Sequence, residues 1–363
     1  MVHLVITGGY GFLGVQAARR FLRAGVCWSR LACAPMPIQK LTLFDRIPLP
    51  DHLPEDLTHD PRLKFLSGNL AEDGIVDEVL DLAACDGDVA VIHFASMVSG
   101  DTELQPAAGW QANVDSQRVV LDALGAMQFK DRAPGARFLF TSSTAAIGAV
   151  PPGGAAPDDL TKLLPQNTYG FHKAVCELML NDYSRRGAVD GRALRLPVIA
   201  VRPGAPNAAT TGAWSSVVRE PLKNLPCEIP IPLDVPMPVA SYQTAIDAML
   251  LLMNQVEEEA IGHDRTLMLP ALSLPCSTLH EAARSLADAH GIPCGSVTAA
   301  PQEMPTRVVR GMGSRVDSSR ALALGLPQDE SAASIVQAYA EEYVLGSDAA
   351  AEATDPDLGD YRT

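Results

Sequence analysis

The sequence lacks any long hydrophobic run. Its longest purely apolar stretch of note is Ala248 to Met253, far short of the ~20 residues that a bilayer-spanning helix needs. No membrane partner is expected. It also lacks paired cysteine spacing. The seven cysteines (27, 33, 85, 176, 227, 276 and 294) are an odd number without metal or disulfide pattern. They read as reduced, mostly buried thiols, which excludes a disulfide framework or a zinc site and leaves no metal expected. Positive charge is scarce too: 28 Lys and Arg stand against 43 Asp and Glu, for a net charge of −15. That balance favours solubility and argues against a nucleic-acid surface. There is no internal repeat and no low-complexity stretch before an Ala-, Asp- and Gly-rich tail over 346–363, where disorder is expected. No charged leader precedes the first apolar run, so a cytoplasmic protein without a signal peptide is expected.

With 363 residues, 47% of them hydrophobic, the chain can bury a large core and divide into two lobes. Helix and strand patterns alternate, which predicts an α/β fold. His3-Leu-Val-Ile-Thr7 reads as a buried strand, followed at once by Gly8-Gly-Tyr-Gly11-Phe-Leu-Gly14 and a helix from Val15 to Arg23. Strand, glycine turn and helix N-terminus make a seat for a dinucleotide pyrophosphate. Gly8 or Gly9 would allow the tight turn, Gly11 a close approach of the phosphates, and Gly14 close helix–strand packing.

Further strands are predicted at Lys40–Asp45, Arg62–Leu66, Val89–Phe94, Arg137–Thr141 and Arg192–Val201. Helices are predicted at Asp77–Cys85, Trp110–Met127 and Thr168–Arg186, with an irregular segment from Cys27 to Pro37. One helix per crossover predicts a doubly wound parallel sheet of the Rossmann type over 1–203. The proline-rich stretch Gly204 to Pro238 opens a smaller C-terminal substrate-binding lobe over 204–345, and Thr266–Pro270 is expected to return to the sheet or its edge. Asp317 reads as the N-cap of a helix start at Asp317-Ser-Ser-Arg320.

Tyr169-Gly-Phe-His-Lys173 is the second decisive feature. On a helix these ends share a face. An ammonium beside a phenol lowers its pKa and makes it a general base for an alcohol proton. The preceding strand ends in Phe140-Thr-Ser-Ser143, which offers a hydroxyl for the substrate oxygen.

Glycine loop, serine strand end and Tyr/Lys helix together resemble the extended short-chain dehydrogenases/reductases, a family that includes sugar-nucleotide epimerases and dehydratases. Thr7 to Gly14 is similar to the family's cofactor loop, His93-Phe-Ala-Ser96 to its fourth-strand motif and Asn113-Val-Asp-Ser116 to its helix asparagine. The resemblance implies Ser143, Tyr169 and Lys173 as the catalytic group. It implies a dinucleotide held by Gly8, Gly11, Phe12, Leu13, Gly14, Asn69, Leu70, Phe94, Ala95, Ser96 and Asn113 as well as Tyr169 and Lys173. The nicotinamide would lie near Pro197, Val198 and Ile199. Within the family the sequence resembles the D-erythronate dehydrogenase-like proteins at Met97–Gly100, Asn181–Arg186, Arg192–Pro197, Val201–Asn207 and Arg219–Leu222.

Asp45 lies 31 positions past Gly14, where the fingerprint expects about 20, and the segment around Trp28 to Pro37 accounts for the excess. Its carboxylate would accept from ribose hydroxyls and repel a 2′-phosphate, which favours NAD; the other reading of Asp45 is a strand-end turn residue. Arg46 would be turned away from that side by strand alternation. Asn69 stands where the family carries Asp and keeps an acceptor there. His93 is expected to be buried beside the pyrophosphate, Asn113 to act chiefly in structure, and His172 to lie on the surface.

For a sugar-acid substrate, Arg202 is the candidate for the carboxylate, or else an interlobe ion pair. Ser99, Thr144 and Asn207 offer polar partners beside Ser143 and Tyr169. The resemblance thus implies an NAD-dependent secondary-alcohol dehydrogenase of a small sugar acid, working as a homodimer through the Asn113 and Tyr169 helices. A sugar-nucleotide epimerase or dehydratase is the alternative, although Gly204 to Asp234 holds only Arg219 and Lys223 as cations for a diphosphate. A non-catalytic NAD(P)-sensing protein fits less well, because the Ser/Tyr/Lys set is kept.

Overall fold

A computed structural model of the protein describes residues 2–50, 53–148, 154–204 and 210–346. The acidic tail, apart from Gly346, and Asn207 lie outside the described residues. β1 (Val2–Thr7) is buried along its length, as a central parallel strand is when both faces are covered. Its side chains alternate between two apolar layers. Leu4 and Ile6 meet Phe21 and Met249 on one face, and Val5 meets Leu121 and Phe138 on the other.

β2 (Val26–Ser29) pairs antiparallel with the start of β3 (Ala34–Asp45). The segment expected to be irregular is therefore a β-hairpin at the sheet margin, a position that tolerates Pro35 and Pro37. Trp28 anchors it under the guanidinium of Arg137, 3.4 Å from the ring centroid. β4 (Leu63–Ser67), β5 (Val89–His93), β6 (Ala136–Ser143) and β7 (Val189–Leu196) continue the sheet. β8 (Val198–Ala200), β9 (Cys227–Ile229) and β10 (Pro236–Ser241) lie outside it, and β11 (Thr266–Met268) returns to pair with β7. The parallel order is β4-β3-β1-β5-β6-β7-β11. It reverses direction between β1 and β5, so the ligand crevice of a doubly wound sheet opens there, above the carboxyl ends.

The single strand expected over 192–201 is broken at Pro197, which lacks a ladder N–H. β7 stays in the large sheet, while β8 joins β10 and β12 (Leu272–Pro275) in a second one. β13 (Val297–Ala299) pairs with β9. Around this second sheet Trp214, Val217, Val239, Leu279, Ile335 and Tyr339 form a separate core. Helix Tyr242–Asn254, although late in the chain, packs its Ile246, Met249 and Leu252 into the first core, so the two lobes interleave. Helix Ser319–Ala323 has its N-cap at Ser318, one residue later than the expected Asp317, and the Asp317 carboxylate accepts from both the N–H and the hydroxyl of Ser319.

The helix expected from Trp110 to Met127 is three pieces: Pro106–Trp110, a π-helical turn Gln111–Asp115, and Ser116–Asp131. Such wide turns recur at functional sites, and this one borders the crevice. Among the described residues no helix is long and apolar enough to cross a membrane, and no cluster of His, Cys, Asp or Glu could hold a metal ion.

Candidate active site

The glycine loop is built by close approach. Gly8 has φ +68°, and a Cβ there would lie 2.8 Å from the Ala95 nitrogen. A Cβ on Gly14 would collide with the Gly8 carbonyl, so only glycine lets helix Phe12–Ala24 sit against the turn. Gly11 caps that helix in an extended conformation without a side-chain cap, and the first turn has no acidic residue. The first amides are thus open to an anion, with the positive dipole end behind them.

Asp45 ends β3 beside this loop. Its Oδ2 accepts from the Tyr10 N–H at 3.1 Å and its Oδ1 from the Arg46 N–H at 2.7 Å. Burial pushes its carboxyl up, against the pull of these backbone donors. Asp45 is a strand-end acceptor that also lines the crevice. Arg46 corrects an expectation. It lines the same crevice, because β3 stops at Asp45 and strand alternation no longer governs the next residue.

Ser143 ends β6, and its Oγ accepts from the Ala145 N–H at 3.2 Å. Tyr169 and Lys173 lie on helix Thr168–Arg185, whose N-cap Asn167 accepts from the Gly170 N–H at 2.7 Å. The nearby Ser143 hydroxyl pulls the phenol down, but burial outweighs it and raises Tyr169 to about 12. The depression expected from the neighbouring ammonium does not occur. Lys173 Nζ is 5.3 Å from the Tyr169 ring centroid and donates to the Thr141 carbonyl at 2.8 Å. Burial lowers Lys173 itself to about 8, with Cys176 and Glu177 opposing.

His93 is fully buried and holds Thr7 Oγ1 at 2.8 Å through Nδ1. Burial lowers it to about 3, helped by the charge of Lys173. Asn113, 2% exposed, does not line the crevice among the described residues. It clamps Met97 from behind, accepting from its N–H at 2.5 Å and donating to its carbonyl at 3.1 Å. His172 corrects another expectation. It does face away from the Tyr169/Lys173 stripe, yet Trp110 and Asn113 cover it and leave 2% exposed.

These parts enclose a crevice of ≈ 530 Å³. It is lined by Gly8, Gly11, Phe12, Leu13, Gly14, Asp45, Asn69 and Leu70, and by Phe94, Ala95 and Ser96. Ser99, Ser143, Tyr169, Lys173, Pro197, Val198, Ile199 and Arg202 line it as well. Asn113 and Thr144 are not among its lining residues. Thr144 begins a short 3-10 turn beyond Ser143.

Sequence reasoning missed Asp101, Gln111, Ser116, Ser215 and Arg219 as lining residues. Ser215 and Arg219 carry a readable signal, polar residues four apart on an apolar helix, Ala213–Leu222. No local pattern announced the π turn that brings Gln111 and Ser116 to the wall.

A profile of the NAD dependent epimerase/dehydratase family matches residues 4–265. The chain belongs to that family. It is 36% identical to D-erythronate dehydrogenase from Cupriavidus necator over 94% of this chain and 98% of that protein. It is 31% identical to D-erythronate dehydrogenase from Haemophilus influenzae over 93% of this chain and 98% of that protein. Among solved structures, the nucleoside-diphosphate-sugar epimerase from Agrobacterium tumefaciens superposes with a TM-score of 0.81 at 32% identity, covering 95% of both chains.

The family's NAD fits the residues present. The glycine cradle that a Cβ would fill, the open helix N-terminus and the carboxylate at the end of β3 are the three elements a dinucleotide requires. If NAD binds here, the loop amides would face the pyrophosphate, Asp45 the adenosine ribose, Asn69 and Leu70 the adenine, and Pro197 to Ile199 the nicotinamide end.

Proposed function

We propose that this family member is an NAD-dependent dehydrogenase that reversibly oxidises a secondary hydroxyl of a small sugar acid, a D-erythronate-like aldonate, to the keto acid. The observation that carries the reading is that Ser143, Tyr169, Lys173 and Arg202 line the same crevice as the glycine loop. NAD, when bound, supplies the hydride acceptor. Ser143 holds the substrate oxygen by its hydroxyl, and Tyr169, as the phenolate that the positive charge of bound NAD and of Lys173 would favour against its burial, takes the proton from it. Lys173 keeps the Tyr169 helix tied to the end of β6 and places a cation beneath the site. Arg202 suits a carboxylate, which a planar guanidinium can grip with two hydrogen bonds. The names of the two D-erythronate dehydrogenases, each similar over nearly the whole chain, support the substrate class.

A nucleoside diphosphate would need cations from the segment after Gly204. Arg219 there is paired with Glu220, and Lys223 is not among the lining residues. A cytoplasmic homodimer is part of the same reading, supported by exposed Trp110, Phe171 and Leu178 on or beside the Asn113 and Tyr169 helices; sedimentation would test it.

The deciding experiment is a screen of C4 to C6 aldonates with NAD, read as NADH absorbance at 340 nm. Turnover of a free aldonate is expected. An enzyme that ignores every free aldonate and converts a nucleotide sugar overturns the reading.

A further inference from the structure

Helix Ala213–Leu222 has two distinct faces. Trp214, Val217, Val218 and Leu222 enter the core of the second lobe, while Gly212, Ser215 and Arg219 border the crevice. Ser215 and Arg219 are one turn apart and therefore neighbours on that face. Both are buried, at 4% and 3% exposed. Their polar atoms converge on one residue, Arg202, just beyond β8. The Arg202 N–H donates to Ser215 Oγ at 3.0 Å. Arg219 Nη1 donates to the Arg202 carbonyl at 2.7 Å.

The clamp is itself braced. Glu220 Oε1 accepts from Arg219 Nε at 3.0 Å and from Nη2 at 2.6 Å, and Ser216 Oγ accepts from Nη2 at 3.1 Å. The Arg219–Glu220 pair compensates its own charge, so it holds Arg202 without setting a second unbalanced cation beside the substrate. A guanidinium must meet a carboxylate within about 0.5 Å to make both hydrogen bonds, yet it sits on a long flexible stem. Fixing the backbone N–H and carbonyl of that residue removes freedom at the root of the stem and lowers the ordering cost of binding.

We propose that Ser215 and Arg219 are positioning residues that hold Arg202 in register on the crevice wall and so set the preference for a carboxylate-bearing substrate over its neutral counterpart. This rests on the reading of Arg202 as the carboxylate-binding residue.

The test compares the best aldonate with its carboxamide, which has the same shape without the charge. Ser215→Ala removes one acceptor. KM for the acid should rise about three- to tenfold, as for one lost hydrogen bond, with kcat lowered less than twofold and the carboxamide nearly unaffected. Ser215→Thr keeps the acceptor oxygen and should restore the acid-to-carboxamide ratio in kcat/KM. Arg219→Lys keeps the charge but loses the fork, and should lower the ratio in the same direction. In an Arg202→Met background, Ser215→Ala should add nothing, because its effect passes through Arg202.

Equal loss on acid and carboxamide, or full additivity in that background, overturns the clamp. Melting temperatures taken in parallel identify a variant that merely unfolds, and Arg219→Lys then carries the comparison. The two levels of the reading fail visibly in different ways. An unmoved ratio in Arg202→Met sinks the carboxylate role of Arg202 itself. A ratio that collapses in Arg202→Met but stays at wild type in Ser215→Ala and Arg219→Lys sinks the clamp alone.

Discussion

Lys173 donates to the carbonyl oxygen of Thr141 across 2.8 Å, fastening the helix of Tyr169 to the strand that ends in Ser143. The Thr141 hydroxyl in turn donates to the His93 carbonyl at 3.1 Å. The carboxyl ends of β5 and β6 and the catalytic helix thus form one hydrogen-bonded unit beneath the crevice. A dry unit of this kind keeps Tyr169 close to Ser143 and explains why burial, and not the neighbouring cation, governs both pKa shifts.

Tyr169→Phe keeps the ring and deletes the titrating group. Turnover of the best aldonate should fall by ~10² to 10⁴, the range for acid–base groups, while the NAD dissociation constant barely changes. Steady-state kinetics and a binding titration check both halves. Activity within a few-fold of wild type would remove Tyr169 from the proton-transfer role.

Asp45→Ala should weaken NAD by about 1 to 2 kcal/mol through the lost ribose hydrogen bonds and relax discrimination against NADP. Because Arg46 lines the same crevice, Arg46→Ala should lower whatever NADP affinity Asp45→Ala reveals. Dissociation constants for both cofactors in the single and double variants decide it. An unchanged NAD/NADP ratio in Asp45→Ala would leave that residue only its backbone contacts to Tyr10 and Arg46.

Arg202→Met retains much of the stem's packing and deletes the charge-assisted pair. The loss should be about 2 to 4 kcal/mol, a fall in kcat/KM of roughly 30- to 1000-fold for the aldonate. A neutral polyol of the same length should suffer far less. Equal damage to both, or an early melt, counts against the carboxylate role.

Acid should destabilise the fold through two buried neutral histidines. His93 is lowered to about 3 and His3 to about 4, each chiefly by burial. Above pH ~6.5, the unperturbed value, neither state binds these protons and neither residue contributes a slope. Below it the unfolded chain takes up protons that the native protein refuses, so stability falls as pH drops toward the folded values. Each histidine should cost about 2 kcal/mol between pH 6.5 and 5, at roughly 1.4 kcal/mol per pH unit. Urea unfolding at several pH values should show the slope, and His93→Gln should remove about half of it. An identical slope in that variant would show that His93 does not carry the effect.

The sequence by itself determined the parts whose chemistry is local. Gly8 to Gly14 is one strand, one turn and one helix start, so spacing alone carries the dinucleotide seat. Tyr169 and Lys173 share a face because four residues make about one turn. The alternation of strands and helices was enough for a doubly wound sheet. Tertiary structure decided the rest, because burial and neighbours come from segments far away in the chain. Helical spacing turned His172 away from Tyr169, but only packing with Trp110 and Asn113 made that side interior. The end of β3 at Asp45 brought Arg46 into the crevice, where a longer strand would have turned it aside. A phenol beside a lysine reads as an acidic phenol in sequence. In the folded protein the lysine answers the Thr141 carbonyl, and the dry surroundings of Tyr169 raise its pKa instead. Ser215 and Arg219 reach Arg202 only because the helix that carries them folds back over the end of β8, a closure that no spacing along the chain encodes.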